Sequence, residues 1–254
     1  MIRLKNKNAQ VTIWVIISIV LVFSIILFFF IDQKAEISQS EEFDPTNYIK
    51  ECAEKYVNEA VDIIIPQGGF LEPENYARYK NTNIEFLCQN KGNFNTCINQ
   101  HPLILTEIKK EIETYSIPKI EKCFSDIEEN LEKSKFSVDS GEAEFIFNIN
   151  PDKILINIKK DISIEKSGES RTFNNFDIEI NSPVYNLAEV SSEIVSQEAR
   201  FCYIEYLGYM ITNQRFIIEK DSISDSIEIY KMKDKKTDKI MNIAIRGCAI
   251  PLGI

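Results

Sequence analysis

One histidine, one tryptophan and four methionines are all that 254 residues hold of those types. The lone His101 has no histidine partner and stands in no Ser or Cys motif, so a histidine-activated nucleophile has little to be built from. None of the six cysteines forms a Cys-x-x-Cys pair, which leaves a zinc centre without a recognisable ligand set. No metal and no other cofactor is expected. Glycine is scarce too, at eight residues, and none of it leads into a helix as a phosphate cradle would. Asn-x-Ser/Thr sequons are missing altogether. Basic residues are outnumbered, 29 against 39 acidic, and the formal net charge is −10. That balance argues against nucleic acid as a partner and against flat contact with anionic lipid headgroups. No internal repeat at solenoid periods is visible.

What the chain does have is an apolar run without charge from Val11 to Ile31, preceded by Arg3, Lys5 and Lys7. At about 1.5 Å per residue this run makes roughly 30 Å of helix, the thickness of a bilayer's hydrocarbon core. The positive-inside rule keeps the first ten residues in the cytoplasm and puts everything after Ile31 outside. No small-x-small pattern follows the run, so it is read as an uncleaved anchor. The expectation is a single-pass cell-membrane protein that meets the lipid bilayer through Val11–Ile31 and carries an acidic extracellular portion. All six cysteines, Cys52, Cys88, Cys97, Cys123, Cys202 and Cys248, fall in that portion. An even count in an oxidising compartment points to disulfides.

The stretch Lys5-Asn6-Lys7-Asn8-Ala9-Gln10-Val11-Thr12-Ile13 resembles the start of archaeal type IV pilin-like precursors. The resemblance implies a leader peptidase cut between Ala9 and Gln10. Trp14 stands where filament-forming members carry a glutamate that neutralises a neighbour's amino group, which weighs against filament assembly. "QVTIW", "YIKECAEKYVNEA" and "QGGF" together also resemble uncharacterised single-pass membrane proteins of small-genome archaea, a likeness that brings no activity with it.

Beyond a polar, acidic stalk, Tyr48, Cys52, Tyr56, Val57, Ala60, Val61 and Ile64 recur at helical spacing. Pro66-Gln67-Gly68-Gly69 ends that helix. Residues 70–100 read as irregular, with Cys88 and Cys97 suited to closing a small loop or to pairing elsewhere. A helix is predicted over Pro102–Tyr115, and Pro118 is read as starting another, with Ile120, Cys123, Phe124, Ile127 and Leu131 on one face. Cys52 and Cys123 then sit on two apolar stripes that a bridge would join. From Gly141 the period changes to two. Phe145, Phe147, Ile149; Ile154, Ile156, Ile158, Ile162, Ile164; and Phe176, Ile178, Ile180 predict a three-stranded antiparallel meander, its row broken only by Lys160. A helix from about Ser182 to Met210, facing inward through Leu187, Val190, Ile194, Phe201 and Cys202, is expected to cover it. Runs at Arg215–Glu219, Ser226–Met232 and Ile240–Arg246 predict further strands, and a Cys202–Cys248 bridge would tie the covering helix to the last of them.

The resulting expectation is an α+β protein with an N-terminal transmembrane helix, a helical neck and an antiparallel β-sheet head covered by a helix. Its divisions are a leader and anchor (1–31), a stalk and mainly helical region (32–136) and a head (137–254). The Gln67-Gly68-Gly69 turn is the most pointed candidate for binding, through bare amides and a carboxamide that would suit a peptide or sugar. Alternation of Glu111, Glu113, Asp126, Glu128, Glu129 and Glu132 with lysines marks a solvated helix face. Tyr203, Tyr206 and Tyr209 cluster on one helix and are expected to pack in the core under the sheet, with a binding ridge as the alternative. The function expected is a non-enzymatic surface protein whose disulfide-stabilised head serves adhesion, envelope assembly or partner binding, with protein partners or self-association at the cell surface. The alternatives are a membrane-tethered, carboxylate-dependent envelope hydrolase and a pilin-like filament subunit.

Overall fold

The computed structural model describes residues 19–22, 45–92, 95–224 and 226–247. Two compact units divide the chain, Met1–Asp44 and Pro45–Ile254. In the first, residues 19–22 are helical and exposed.

The expected transmembrane helix is corrected by these coordinates. Among the described residues no helix is long and apolar enough to cross a membrane, and Val11–Ile31 lies outside them except for residues 19–22. The helices of sufficient length are amphipathic. Pro45–Ile64, α1, carries Lys50, Glu51, Glu54, Lys55, Glu59 and Asp62 opposite its buried stripe. Ile104–Lys133, α2, is charged along its whole outer face.

The helical neck is corrected as well. Both helices enter the same core as the sheets, and that core runs from Ile49 to Ile245. In α1 the stripe Ile49, Cys52, Ala53, Val57, Ala60, Val61 and Ile64 is buried, and α1 packs on α2. In α2 the stripe Ile104, Ile108, Ile112, Ser116, Ile120, Phe124, Ile127 and Leu131 is buried without interruption. Pro118 lies inside this one helix and does not start a second. Its missing N–H and ring clash disfavour helix by about 3 kcal/mol, but large side chains on the stripe are buried both before and after it. Burial on both sides outweighs the local penalty.

Two sheets flank the helices. The second in chain order is the predicted meander with one strand added. Ser137–Ser140 (β4), Glu144–Asn150 (β5), Lys153–Lys166 (β6) and Glu169–Asn181 (β7) are all antiparallel, with β4 and β5 paired to β6 and β7 paired along nearly all of it. A register shift between Lys159 and Ile162 sits where Lys160 breaks the apolar row. Phe176 meets Phe124 of α2 edge-on, with ring centroids 5.2 Å apart.

The first sheet departs from a purely antiparallel head. Its order is β1-β2-β10-β9-β8, with β3 also on β2. The strands are Tyr76–Tyr79 (β1), Thr82–Gln89 (β2), Ile98–Asn99 (β3), Phe216–Ser224 (β8), Ile227–Asp234 (β9) and Ile240–Arg246 (β10). β2 and β10 pair in parallel, and every other pairing is antiparallel. The region read as irregular thus contains three strands, and β2 lies inside the sheet. The sheet curls. Tyr79 on one edge strand donates a hydrogen bond from its hydroxyl to Asp221 on the other, around a second small core of Ala77, Ile84, Phe86, Ile229 and Ala244.

The covering helix is shorter than expected. Val184–Phe201 (α3) stops at Cys202, whose φ of 55° is left-handed, and the chain resumes as Tyr206–Thr212 (α4). Phe201, expected to face inward, is 55% exposed. Arg215 clips one sheet to the other. Its Nε and Nη2 donate to the two oxygens of Asp234, each at 2.8 Å, and Nη1 lies 2.6 Å from Asp152 in the β5–β6 turn. Asp234 is fully buried. Burial pushes its carboxyl up, yet Arg215, the Lys236 amide and Thr237 together hold it below the ordinary value. Arg215→Met therefore leaves an unpaired buried carboxylate and is expected to cost about 3 kcal/mol, read as a lower urea midpoint at neutral pH.

Candidate functional site

The turn that ends α1 is built against β2 and α2. A single 3-10 turn, Ile65–Gln67, carries the chain out of the helix, and Gly68 and Gly69 follow at φ +87° and +101°. Neither glycine has room for a side chain. A Cβ on Gly68 would meet Glu85 Cβ at 3.1 Å, and one on Gly69 would meet Ile108 Cγ1 at 2.7 Å. Gly69 N–H donates to Ile64 O at 2.8 Å. The Gln67 carboxamide is turned inward, with Nε2 shared among the carbonyls of Ile63, Phe70 and Leu71 at 3.0, 3.4 and 3.3 Å. Leu71 N–H donates to Glu111 Oε2 at 3.0 Å. The groups singled out for binding are thus engaged in closing the helix end and wedging it between a strand and a helix.

That wedge brings together a constellation that residue spacing does not reveal. His101, just before α2, lies between two carboxylates. Its Nδ1 is 2.5 Å from Glu107 Oε2, and its Nε2 is 3.5 Å from Glu85 Oε1. Phe70 packs on the imidazole with centroids 4.6 Å apart. His101 N–H is held by Asn99 Oδ1 at 2.9 Å. Glu85 is 4% exposed and accepts from Asn75 N–H at 3.3 Å through each oxygen. Burial alone would lower the His101 pKa, but the hydrogen bonds with Glu85 and Glu107 and the charges of both carboxylates outweigh it and raise the value. Chemically this is an imidazole clamp joining β2, α2 and the glycine turn. The nearest cysteines in sequence, Cys88 and Cys97, are joined to each other and supply no thiolate.

A second buried cluster lies under α3. Tyr230, with no exposed surface, donates its hydroxyl to Glu198, itself 1% exposed, and lies 3.3 Å from Glu228 Oε2. Burial raises the Glu198 pKa, opposed by the Tyr230 hydrogen bond. Lys220 closes the group, 2.6 Å from Glu228 and over the Tyr230 ring. Both clusters leave a trace in the sequence. Glu85 interrupts the apolar run Ile84–Cys88, and Glu198 falls on the helical stripe of Leu187, Ser191 and Ile194.

Cys52 is bonded to Cys123 and Cys88 to Cys97. Cys202 is also in a disulfide, while Cys248 lies outside the described residues, as do Ala9 and Gln10. Of the α2 carboxylates, Glu113 and Glu129 pair locally with Lys109 and Lys133, and Glu128 pairs with Lys160 of β6. The tyrosines do not act together. Tyr203 is exposed and bonded to Glu205 at 2.5 Å, while Tyr206 packs on Tyr230. Among the described residues no three His, Cys, Asp or Glu side chains are grouped so as to hold a metal ion. No family model matches the chain, and no curated protein or solved structure matches it either.

Because the folded pKa of His101 is raised, its contribution to stability is full below the unfolded value of about 6.5 and is lost as pH rises through the folded value. Unfolding free energy is expected to fall across that window in the wild type, and His101→Gln is expected to remove this component. The only imidazole in the chain gives a single proton-resonance titration that checks the direction independently. Gly69→Ala must adopt a left-handed φ and displace Ile108, so a loss of about 1–3 kcal/mol is expected in chemical denaturation.

Proposed function

We propose that the Pro45–Ile254 unit is a non-enzymatic, extracytoplasmic binding module that serves adhesion, envelope assembly or partner binding at the cell surface. The observation that carries this reading is the pair of disulfides. Cys52–Cys123 joins α1 to α2 across 71 residues of sequence, and Cys88–Cys97 closes the loop between β2 and β3. Such bonds persist in oxidising compartments and are rare in reducing ones. The titratable clusters add support of a different kind. His101 is clamped between carboxylates, and Glu198 is sealed beneath α3 with its tyrosine partner, so both groups serve the fold.

The test is the intact mass of natively extracted protein, alkylated with and without prior reduction, followed by sedimentation of the folded protein alone and with envelope material. Cysteines that take up label only after reduction, together with self-association or co-sedimentation, are the expected result. Complete labelling without reduction would remove the compartment argument, and a monomer that ignores envelope material would remove the binding argument. Reduction is also expected to lower stability by about 2–4 kcal/mol through Cys52–Cys123 alone, read as a fall in the denaturation midpoint.

A further inference from the structure

A groove of about 420 Å³ is lined by Gln89, Asn90, Lys91, Ile98, Gln100 and Arg246. Asn90 is 4% exposed, and its position is fixed from several directions. Its N–H donates to Arg246 O at 2.9 Å, extending the parallel β2–β10 pairing. Its Nδ2 donates to Asn95 O at 2.9 Å and to Gly247 O at 2.6 Å. Two carbonyls on the amide nitrogen settle the orientation of the carboxamide, and Oδ1 is then left buried with no partner. Arg246 Nε is likewise buried with no partner. Two residues that line the groove therefore hold a buried acceptor and a buried charged donor without protein partners, where buried polar atoms are nearly always paired.

We propose that this groove binds an acidic sugar. A uronic acid matches the chemistry of the lining, with a carboxylate for the Arg246 guanidinium and Lys91 and hydroxyls for the Gln89 and Gln100 carboxamides. The local charge agrees with this choice. In a chain of net charge −10 the described residues that line the groove include two cations and no acidic side chain. Its volume suits one or two sugar rings, and Ile98, 62% exposed, offers an apolar surface for a ring's C–H face. The inference does not depend on where in the cell the protein works.

The test is calorimetric titration of the full chain with glucuronate, with glucose and with an N-acetylated dipeptide bearing a free carboxylate. Glucuronate is expected to saturate a single site, with glucose weaker by about tenfold or more because it lacks the charge-assisted contact. Arg246→Met is expected to weaken glucuronate by about tenfold. Lys91→Gln, at an exposed side chain whose loss leaves the fold intact, is expected to weaken it less and to flatten its salt dependence. The proposal is overturned by the absence of saturable glucuronate binding, by equal affinity for glucose, or by affinity unchanged in both variants. Binding of the dipeptide in preference to glucuronate would also overturn it and assign the groove to peptide carboxyl termini.

Discussion

The seam between α1 and α2 is the surface on which the four-stranded sheet rests and from whose end the curled sheet is reached. α1 brings a stripe that includes the small residues Ala53 and Ala60, and α2 answers with isoleucines, Phe124 and Leu131. The four-stranded sheet rests on this pair through β7 against α1 and through β4 and β5 against α2, while the turn after α1 reaches β2 and β10 of the curled sheet. If the helices separated, the four-stranded sheet would expose its apolar face, whereas the curled sheet would keep α3 against β2, β3, β9 and β10. Cys52–Cys123 sits within this seam. The cross-link therefore constrains the element with the greatest leverage over the rest of the core.

Around that seam, buried charge is handled in three places by the same logic. Asp234 takes the Nε and Nη2 groups of Arg215, Glu85 takes His101, and Glu198 takes the Tyr230 hydroxyl. Each pairing joins two different segments of the fold. A buried polar group with its partners in place favours one arrangement of the surrounding elements, because any slip leaves it desolvated and alone. The two left-handed glycines act alongside these pairings. They let the backbone after α1 approach Glu85 and Ile108 more closely than a side chain would allow.

Periodic elements were legible from residues alone, and elements defined by distant partners were not. The alternation in β5, β6 and β7, broken in β6 at Lys160, follows from one face being buried and the other wet, so the meander is written in local pattern. The amphipathic stripes of α1 and α2 carry the same kind of signal. β2 does not, since a strand with neighbours on both sides and buried residues on both faces reads as a short unbroken run. Pro118 misled because propensity is local, whereas the burial that overrides it is tertiary. At the glycine turn the motif was visible, but its purpose lay in Glu85 and Ile108, which no local spacing connects to it. His101 was visible only as a solitary histidine, and its two carboxylates come from a strand and a helix that meet only in the folded chain.

The parallel contact of β2 with β10 has a consequence for the order in which this protein can be made. Asn90 and Gly247, which continue that pairing, are separated by 157 residues. An antiparallel hairpin can form as soon as its second strand emerges, but this contact must wait until nearly the whole unit has been synthesised. Until then β2 holds only β1 and β3, and its other edge offers unpaired backbone groups to any strand nearby. The newborn chain therefore spends most of its synthesis with an open template at its centre, and the last strand to arrive is the one that closes it.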